Sequence, residues 1–163
     1  MVTIRYAHSG DAEAIAAIWN AMIRDTPFTF DHDVYSADAI AAMISERQSA
    51  GFAWLVSEED GRVTGFATFA PFREGEGYAR TMEHTIFLDP DAAGEGLGEQ
   101  LMRALEDEGR ARDLHSFIAC VTGENAVGLK FHRDIGFETA GVIPQAGWKF
   151  ARWMDLVILQ KFL

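Results

Sequence analysis

Three glycines at alternate positions, Gly94, Gly96 and Gly98, stand between the apolar run Thr85-Ile86-Phe87-Leu88 and a helical pattern that opens at Leu97. Lacking Cβ atoms, they let the backbone curl tightly and aim successive N–H groups into one small space where a helix dipole begins. Such a cradle suits an anion. The spacing is G-x-G-x-G, it falls in mid-chain, and no Lys-Ser or Lys-Thr follows, which argues against both a P-loop and a dinucleotide-binding turn. Glycine spacing alone supports a ligand-free helix start about as well as a phosphate site, so the flanking segments have to decide.

Read in order, the chain predicts β-α-α-β-β-β-α-β-α-β-β. A strand over 3–8 leads to a helix over 12–24, with Ser9 as N-cap and Ile15, Ile18, Trp19 and Met22 on one face. Thr26-Pro27 stops it, and Phe28-Thr29-Phe30 puts two aromatics in a loop. Ser36 caps a second helix over 37–48, with Ile40, Met43 and Ile44 inward and Gly51 as its stop. Strands over 52–57 and 62–70 are joined through Asp60-Gly61, a strong hairpin signal. A polar loop over 72–78 precedes a strand over 79–88. A helix over 97–112 buries Leu97, Leu101, Ala104, Leu105 and Ala111, and a strand follows over 114–121. Glu124-Asn125 starts another helix, with Val127, Phe131 and Ile135 four apart, closed by Gly136 with Phe137 folding back. The tail reads as a strand over 137–142, a turn over 144–147 and a strand over 148–163 that is apolar on both faces. No internal repeat or linker breaks the 163 residues, which fit one mixed α/β domain.

The formal net charge of −11 argues against nucleic acid, because no basic stripe is present to neutralise phosphates. No apolar run approaches bilayer length and Met1-Val2-Thr3 leads straight into a strand pattern, so no membrane partner and a cytoplasmic setting are expected. The one cysteine, Cys120, lies in the apolar run 117–121 and reads as a small core residue.

The glycine turn taken together with Asn125-x6-His132-x3-Gly136-Phe137 resembles the GNAT superfamily of acyl-coenzyme A-dependent N-acetyltransferases. More narrowly, Phe72-Arg73, Tyr78-x-Arg80-x-x-Glu83-His84, Leu129-x-x-His132 and Trp148-Lys149-Phe150-x-Arg152-Trp153-x-Asp155-Leu156 are similar to the phosphinothricin and methionine sulfoximine/sulfone acetyltransferase group. The similarity runs over essentially the whole chain. It implies a mixed, mostly antiparallel central sheet of about six to seven strands, helices on both faces, and two strands splayed apart at the acyl-coenzyme A site. It further implies acetyl-coenzyme A as co-substrate, no metal, a small-molecule amine as acceptor attacking the thioester directly, and a homodimer.

Carried onto this chain, the resemblance gives the pyrophosphate to the amides of Gly94, Glu95, Gly96, Leu97, Gly98 and Glu99, and the pantetheine arm to the backbone of Ile86, Phe87 and Leu88. Asn125 either bonds that arm or caps its helix. His132 occupies the position of the family's general-acid tyrosine, and also reads as a half-buried helix histidine. Glu83, a carboxylate inside an apolar strand, is the candidate base for the amine, against an ordinary pair with a nearby arginine. Arg73 and Arg80 can fork onto a substrate carboxylate or side-chain oxyanion, or be solvated loop residues. Strict alternation sets Arg80 and Glu83 on opposite faces unless the strand bulges. Phe28 and Phe30 are either buried packing or a substrate wall. Three positions depart from the family: Ala93 stands for its Arg or Gln, and Glu95 and Glu99 stand where basic residues are common. Acids in a first helical turn favour the helix but compete with a bound pyrophosphate. The other readings are a non-catalytic acyl-coenzyme A sensor and an acetyltransferase for a different amine.

Overall fold

The computed structural model describes residues 1–92 and 96–163, so Ala93, Gly94 and Glu95 lie outside the described residues. The element order matches the sequence: β1 (Val2–Tyr6), α1 (Ala12–Asp25), α2 (Ala37–Ser49), β2 (Trp54–Glu59), β3 (Arg62–Pro71), β4 (Thr81–Leu88), α3 (Leu97–Ala111), β5 (Ser116–Thr122), α4 (Ala126–Asp134), β6 (Glu138–Lys149) and β7 (Arg152–Phe162). The seven strands form one sheet in the order β1-β2-β3-β4-β5-β7-β6. Among these pairs only β4–β5 is parallel.

Alternation along each strand sends successive side chains to opposite faces and so builds two cores. Trp54, Val56 and Phe66 face α1 and α2, where Ile15, Ile18, Trp19, Ile40 and Ile44 are buried against them. Leu55, Ala67, Phe69, Met82 and Phe117 face the other way and take Leu101, Met102 and Leu105 of α3, with Leu129 and Phe131 of α4 at the margin. Each fully buried Leu, Ile or Phe contributes about 1.5–3 kcal/mol.

Most of the end signals do what their chemistry dictates. The Ser36 hydroxyl accepts from Ala39 N at 3.1 Å, and the Asn125 carbonyl oxygen accepts from Gly128 N at 2.8 Å. At the end of α4, Gly136 (φ 103) lets Gly136 N reach Arg133 O and Phe137 N reach His132 O, which folds Phe137 back into the core. Asp60 and Gly61 both have positive φ in the β2–β3 turn.

Three local expectations are corrected. α1 has Asp11 rather than Ser9 at its N-cap, and the side-chain cap sits one turn earlier: the His8 ring accepts from Gly10 N while Asp11 accepts from His8 N, closing a capping box around a short 3-10 turn. β4 starts at Thr81 rather than Ala79, because Glu76–Tyr78 forms another 3-10 turn. The segment 144–147 does not reverse the chain. Pro144 has no N–H for the ladder and Gln145 (φ 51) is held by Asp155 Oδ1 at 2.9 Å, so β6 bulges between the pairs Ile143–Leu156 and Gly147–Met154 and then continues. The reversal comes at Phe150 and Ala151, with φ of 52° and 58°.

Candidate active site

β4 pairs with β5 only through Thr81–Ser116, Met82–Phe117 and Glu83–Ile118. Beyond Glu83 the two strands part: β4 stays on β3 as far as Leu88, while β5 stays on β7 as far as Thr122. The backbone of β4 from His84 to Leu88 therefore turns one edge toward β5 without a strand partner among the described residues, which is the splay that the family resemblance implies.

A cavity of about 480 Å³ opens at this gap, and Glu83, His84, Ile86, Phe87, Cys120, Asn125 and His132 line it. The segment between α1 and α2 borders it on one side, with Phe28 and Phe30 both among the lining residues. That segment is fastened at several points. Thr122 Oγ1 donates to Pro27 O at 2.7 Å, Lys149 Nζ to Thr29 O at 2.8 Å, and His32 Nε2 to Trp148 O at 2.8 Å. Phe30 lies so close to Gly147 that a Cβ there would come within 2.3 Å of the ring. Asn20 exchanges two hydrogen bonds with the backbone of Tyr35 at the far end.

Glu83 sits at the apex of the splay with an exposed side chain. Its Oε1 accepts from Cys120 Sγ at 3.0 Å. Burial, and then the bond to Glu83, push the Cys120 thiol up to about 12, so it is protonated at neutral pH and acts as a donor, not a nucleophile. Half-buried Cys120 thus belongs to the site as well as to the strand.

On the opposite face, His84 and His132 bond to each other through their Nε2 atoms at 2.9 Å. His132 Nδ1–H donates to Gly128 O at 2.7 Å, so its Nε2 must accept and His84 Nε2 must donate. His84 Nδ1 is buried without a partner among the described residues. As bonded, neither ring offers an N–H to the cavity. His132 is 6% exposed, hence buried rather than half-buried, because the end of α4 folds Phe137 over it. Burial depresses both histidines, His84 well below its ordinary 6.5 with the neighbouring His132 adding to the effect.

This pair makes stability depend on pH. Below pH 6.5 the unfolded chain binds protons that the folded pair refuses, so stability falls with pH until the folded rings also protonate. Urea unfolding from pH 7.5 to 5.5 should show stability lost at about 1–2 kcal/mol per pH unit beneath pH 6.5. His84→Gln keeps a donor for His132 Nε2 and should flatten that slope; an unchanged slope would place the titration elsewhere.

At the other end of the gap, α3 starts on Gly96 (φ 75) with no side-chain cap among the described residues, and as in any helix its first amides have no intrahelical partners. Leu97 is buried, and Gly98 is small because Phe131 lies 3.0 Å from where its Cβ would be. Leu88 packs beside both Gly65 and Gly98 and does not line the cavity. Glu99 pairs with Arg103 along the surface of α3, which turns one of the acids aside. The cradle residues Gly94 and Glu95, with Ala93, lie outside the described residues. Asn125 spends its oxygen on the helix cap and is among the residues that line the cavity. The free β4 edge fits a peptide-like pantetheine arm, and the uncapped α3 start fits a phosphate.

The two arginines singled out from the sequence do not line this cavity. Arg80 precedes β4, which shows no bulge to bring it round to Glu83, and it pairs with Asp113 at 2.8 Å. Arg73 is exposed in the 72–78 loop, over the Phe72 ring. The arginine that does line the cavity is Arg47, with Tyr35 beside it, and neither was singled out. A signal for Arg47 was present: the inward stripe Ile40, Met43, Ile44 of α2 continues onto position 47.

A sequence model described as Acetyltransferase (GNAT) family matches residues 15–137. The L-amino acid N-acyltransferase MnaT of Escherichia coli (strain K12) is 38% identical over 98% of this chain and 92% of its own length. The L-methionine sulfoximine/L-methionine sulfone acetyltransferase of Salmonella typhimurium is 36% identical over 98% of this chain and 93% of its own. A solved acetyltransferase from Salmonella typhimurium with its cofactor acetyl-CoA superposes with a TM-score of 0.96 at 36% identity, covering 99% of this chain and 94% of that one.

Proposed function

This chain belongs to the GNAT family of acetyltransferases, and from that premise we propose that it moves an acetyl group from acetyl-coenzyme A to the α-amine of a small amino acid or analogue, of the methionine sulfone, methionine sulfoximine or phosphinothricin type. The observation that carries the reading is the opening of β4 from β5 directly beyond Glu83, with a cavity at the gap that Glu83, Phe28 and Phe30 line. The β4 backbone over Ile86–Leu88 and the first amides of α3, at Gly96–Glu99, hold the donor, and Asn125 and His132 border its arm.

The donor supplies an activated thioester, and the protein's part is to place and deprotonate the amine. Glu83 accepts the proton that the attacking nitrogen loses. Cys120 Sγ–H holds the carboxylate by its Oε1, and Oε2 is left to take the proton. Phe28 and Phe30 exclude water over the acceptor. The proton that the departing sulfur takes up comes from solvent or from the acceptor side, since the His84–His132 pair as bonded has none to give.

The whole chain, 1–163, acts as one domain in this account. No described helix is long and apolar enough to cross a membrane. Trp148, Phe150 and Trp153, each roughly half exposed around the β6–β7 turn, support a homodimer. Thiol release from acetyl-coenzyme A, measured over a panel of amino acids and their sulfone, sulfoximine and phosphinyl analogues, tests the proposal. The analogues should be turned over in preference to simple amines and peptides. No thiol release with any amino acid would refute it.

A further inference from the structure

Arg47 projects from the inward stripe of α2 onto the sheet face that carries Glu83. Its guanidinium carbon lies 5.1 Å from the Trp54 ring centre, and Nη1 donates to Thr68 Oγ1 at 3.2 Å. Trp54 pairs with Thr68 and Thr68 with Thr85, so the guanidinium sits over a row of the sheet that ends next to Glu83. Among the described residues no carboxylate lies within 4.0 Å of it. A guanidinium has five N–H donors in a planar fork, and here one is used. Sinking such a charge without a carboxylate in contact is costly, and burial depresses Arg47 from its ordinary value, an effect that the nearby Tyr35 and Glu83 only partly offset. The arginines at positions 5, 80, 103, 110 and 152 all meet carboxylates.

The cavity therefore presents a carboxylate and a free guanidinium on one face. An α-amino acid carries the complementary pair, amine and carboxylate, on a single carbon. We infer that Arg47 is the specificity-determining residue of this site, its fork holding the α-carboxylate of the acceptor while the amine faces Glu83. The inference rests on the amino-acid reading above and names the group that reading leaves unassigned. Stacking on Trp54 positions the fork and leaves its outer edge to the ligand.

The test compares methionine sulfone with its α-carboxamide, in the wild type and in Arg47→Met and Arg47→Lys, with folding checked by circular dichroism. The wild type should prefer the acid by at least ~30-fold in kcat/KM, a preference that collapses toward unity in Arg47→Met through the KM of the acid and is partly restored in Arg47→Lys. A residue that only packs on Trp54 would change thermal stability and leave the acid-to-amide ratio alone. A folded Arg47→Met with an unchanged ratio, or a wild type indifferent to the carboxylate, overturns the inference while leaving amino-acid acetylation standing. A wild type that acetylates neither compound removes the reading beneath it as well. Should the variants not fold, inhibition of the wild type decides: 4-(methylsulfonyl)butanoate should compete with methionine sulfone and its amide should not, and equal inhibition by the two overturns the assignment.

Discussion

Glu83→Gln lowers kcat/KM for the amine acceptor by about 10²–10⁴-fold, the range expected when a positioned proton acceptor is removed. That loss equals roughly 3–5 kcal/mol of transition-state stabilisation. The substitution keeps shape and keeps an oxygen for Cys120 Sγ, so the apex of the splay is preserved. Affinity for acetyl-coenzyme A, measured by isothermal titration, should stay within about twofold, because the loss falls on the chemical step rather than on donor binding. Glu83 lies where β4 last touches β5, and the unpaired stretch of β4 proposed to bind the donor begins past it. An equal fall in donor affinity and turnover would mean that Glu83 holds the strands rather than takes the proton. Full activity would mean that another group is the base.

Lys161→Met costs about 3 kcal/mol of folding stability, since removing one partner of a buried ion pair strands the other charge. Glu106 on α3 has a side chain only 4% exposed, and Lys161 Nζ on β7 donates to its two oxygens at 2.8 and 3.0 Å. The same ammonium donates to Ile135 O at the end of α4, at 2.7 Å, so one group ties α3, α4 and β7 together. Arg110, 3.4 Å from Glu106, is half exposed and compensates weakly. For a domain of this size the loss lowers the midpoint of thermal unfolding by about 6–12 °C. The double change Glu106→Leu, Lys161→Met removes the stranded carboxylate and should recover most of the stability, whereas simple loss of contacts would make the two changes additive. Breaking the surface pair Lys130–Asp134 should shift stability by no more than about 0.5 kcal/mol.

Element order, both helix caps at Ser36 and Asn125, the Asp60-Gly61 turn and the closure of α4 on Gly136 were legible because each depends on neighbours in sequence. The bulge at 144–147 was not. Pro144 signals a break in either case, and what keeps β6 running is the bond from Asp155, ten residues away on another strand. The same division runs through the site. Glu83 was visible as a charge out of place in an apolar strand, and the aromatic lining as Phe28-Thr29-Phe30. Arg80 misled because the pattern gives the spacing from Glu83 but not the 3-10 turn that starts β4 late and leaves Arg80 to Asp113. Arg47 sits far along the chain from Glu83, and only packing α2 on the sheet brings their charges into one cavity. The bond between His84 and His132 has the same origin: neither sequence nor spacing fixes which ring nitrogens meet.

The most direct measurement is a crystal structure of this chain with acetyl-coenzyme A. The pantetheine arm should lie between β4 and β5, bonded to the Ile86–Leu88 backbone, with the diphosphate on the opening amides of α3 and the thioester beside Glu83. A donor bound elsewhere, with the β4–β5 gap empty, would contradict the account.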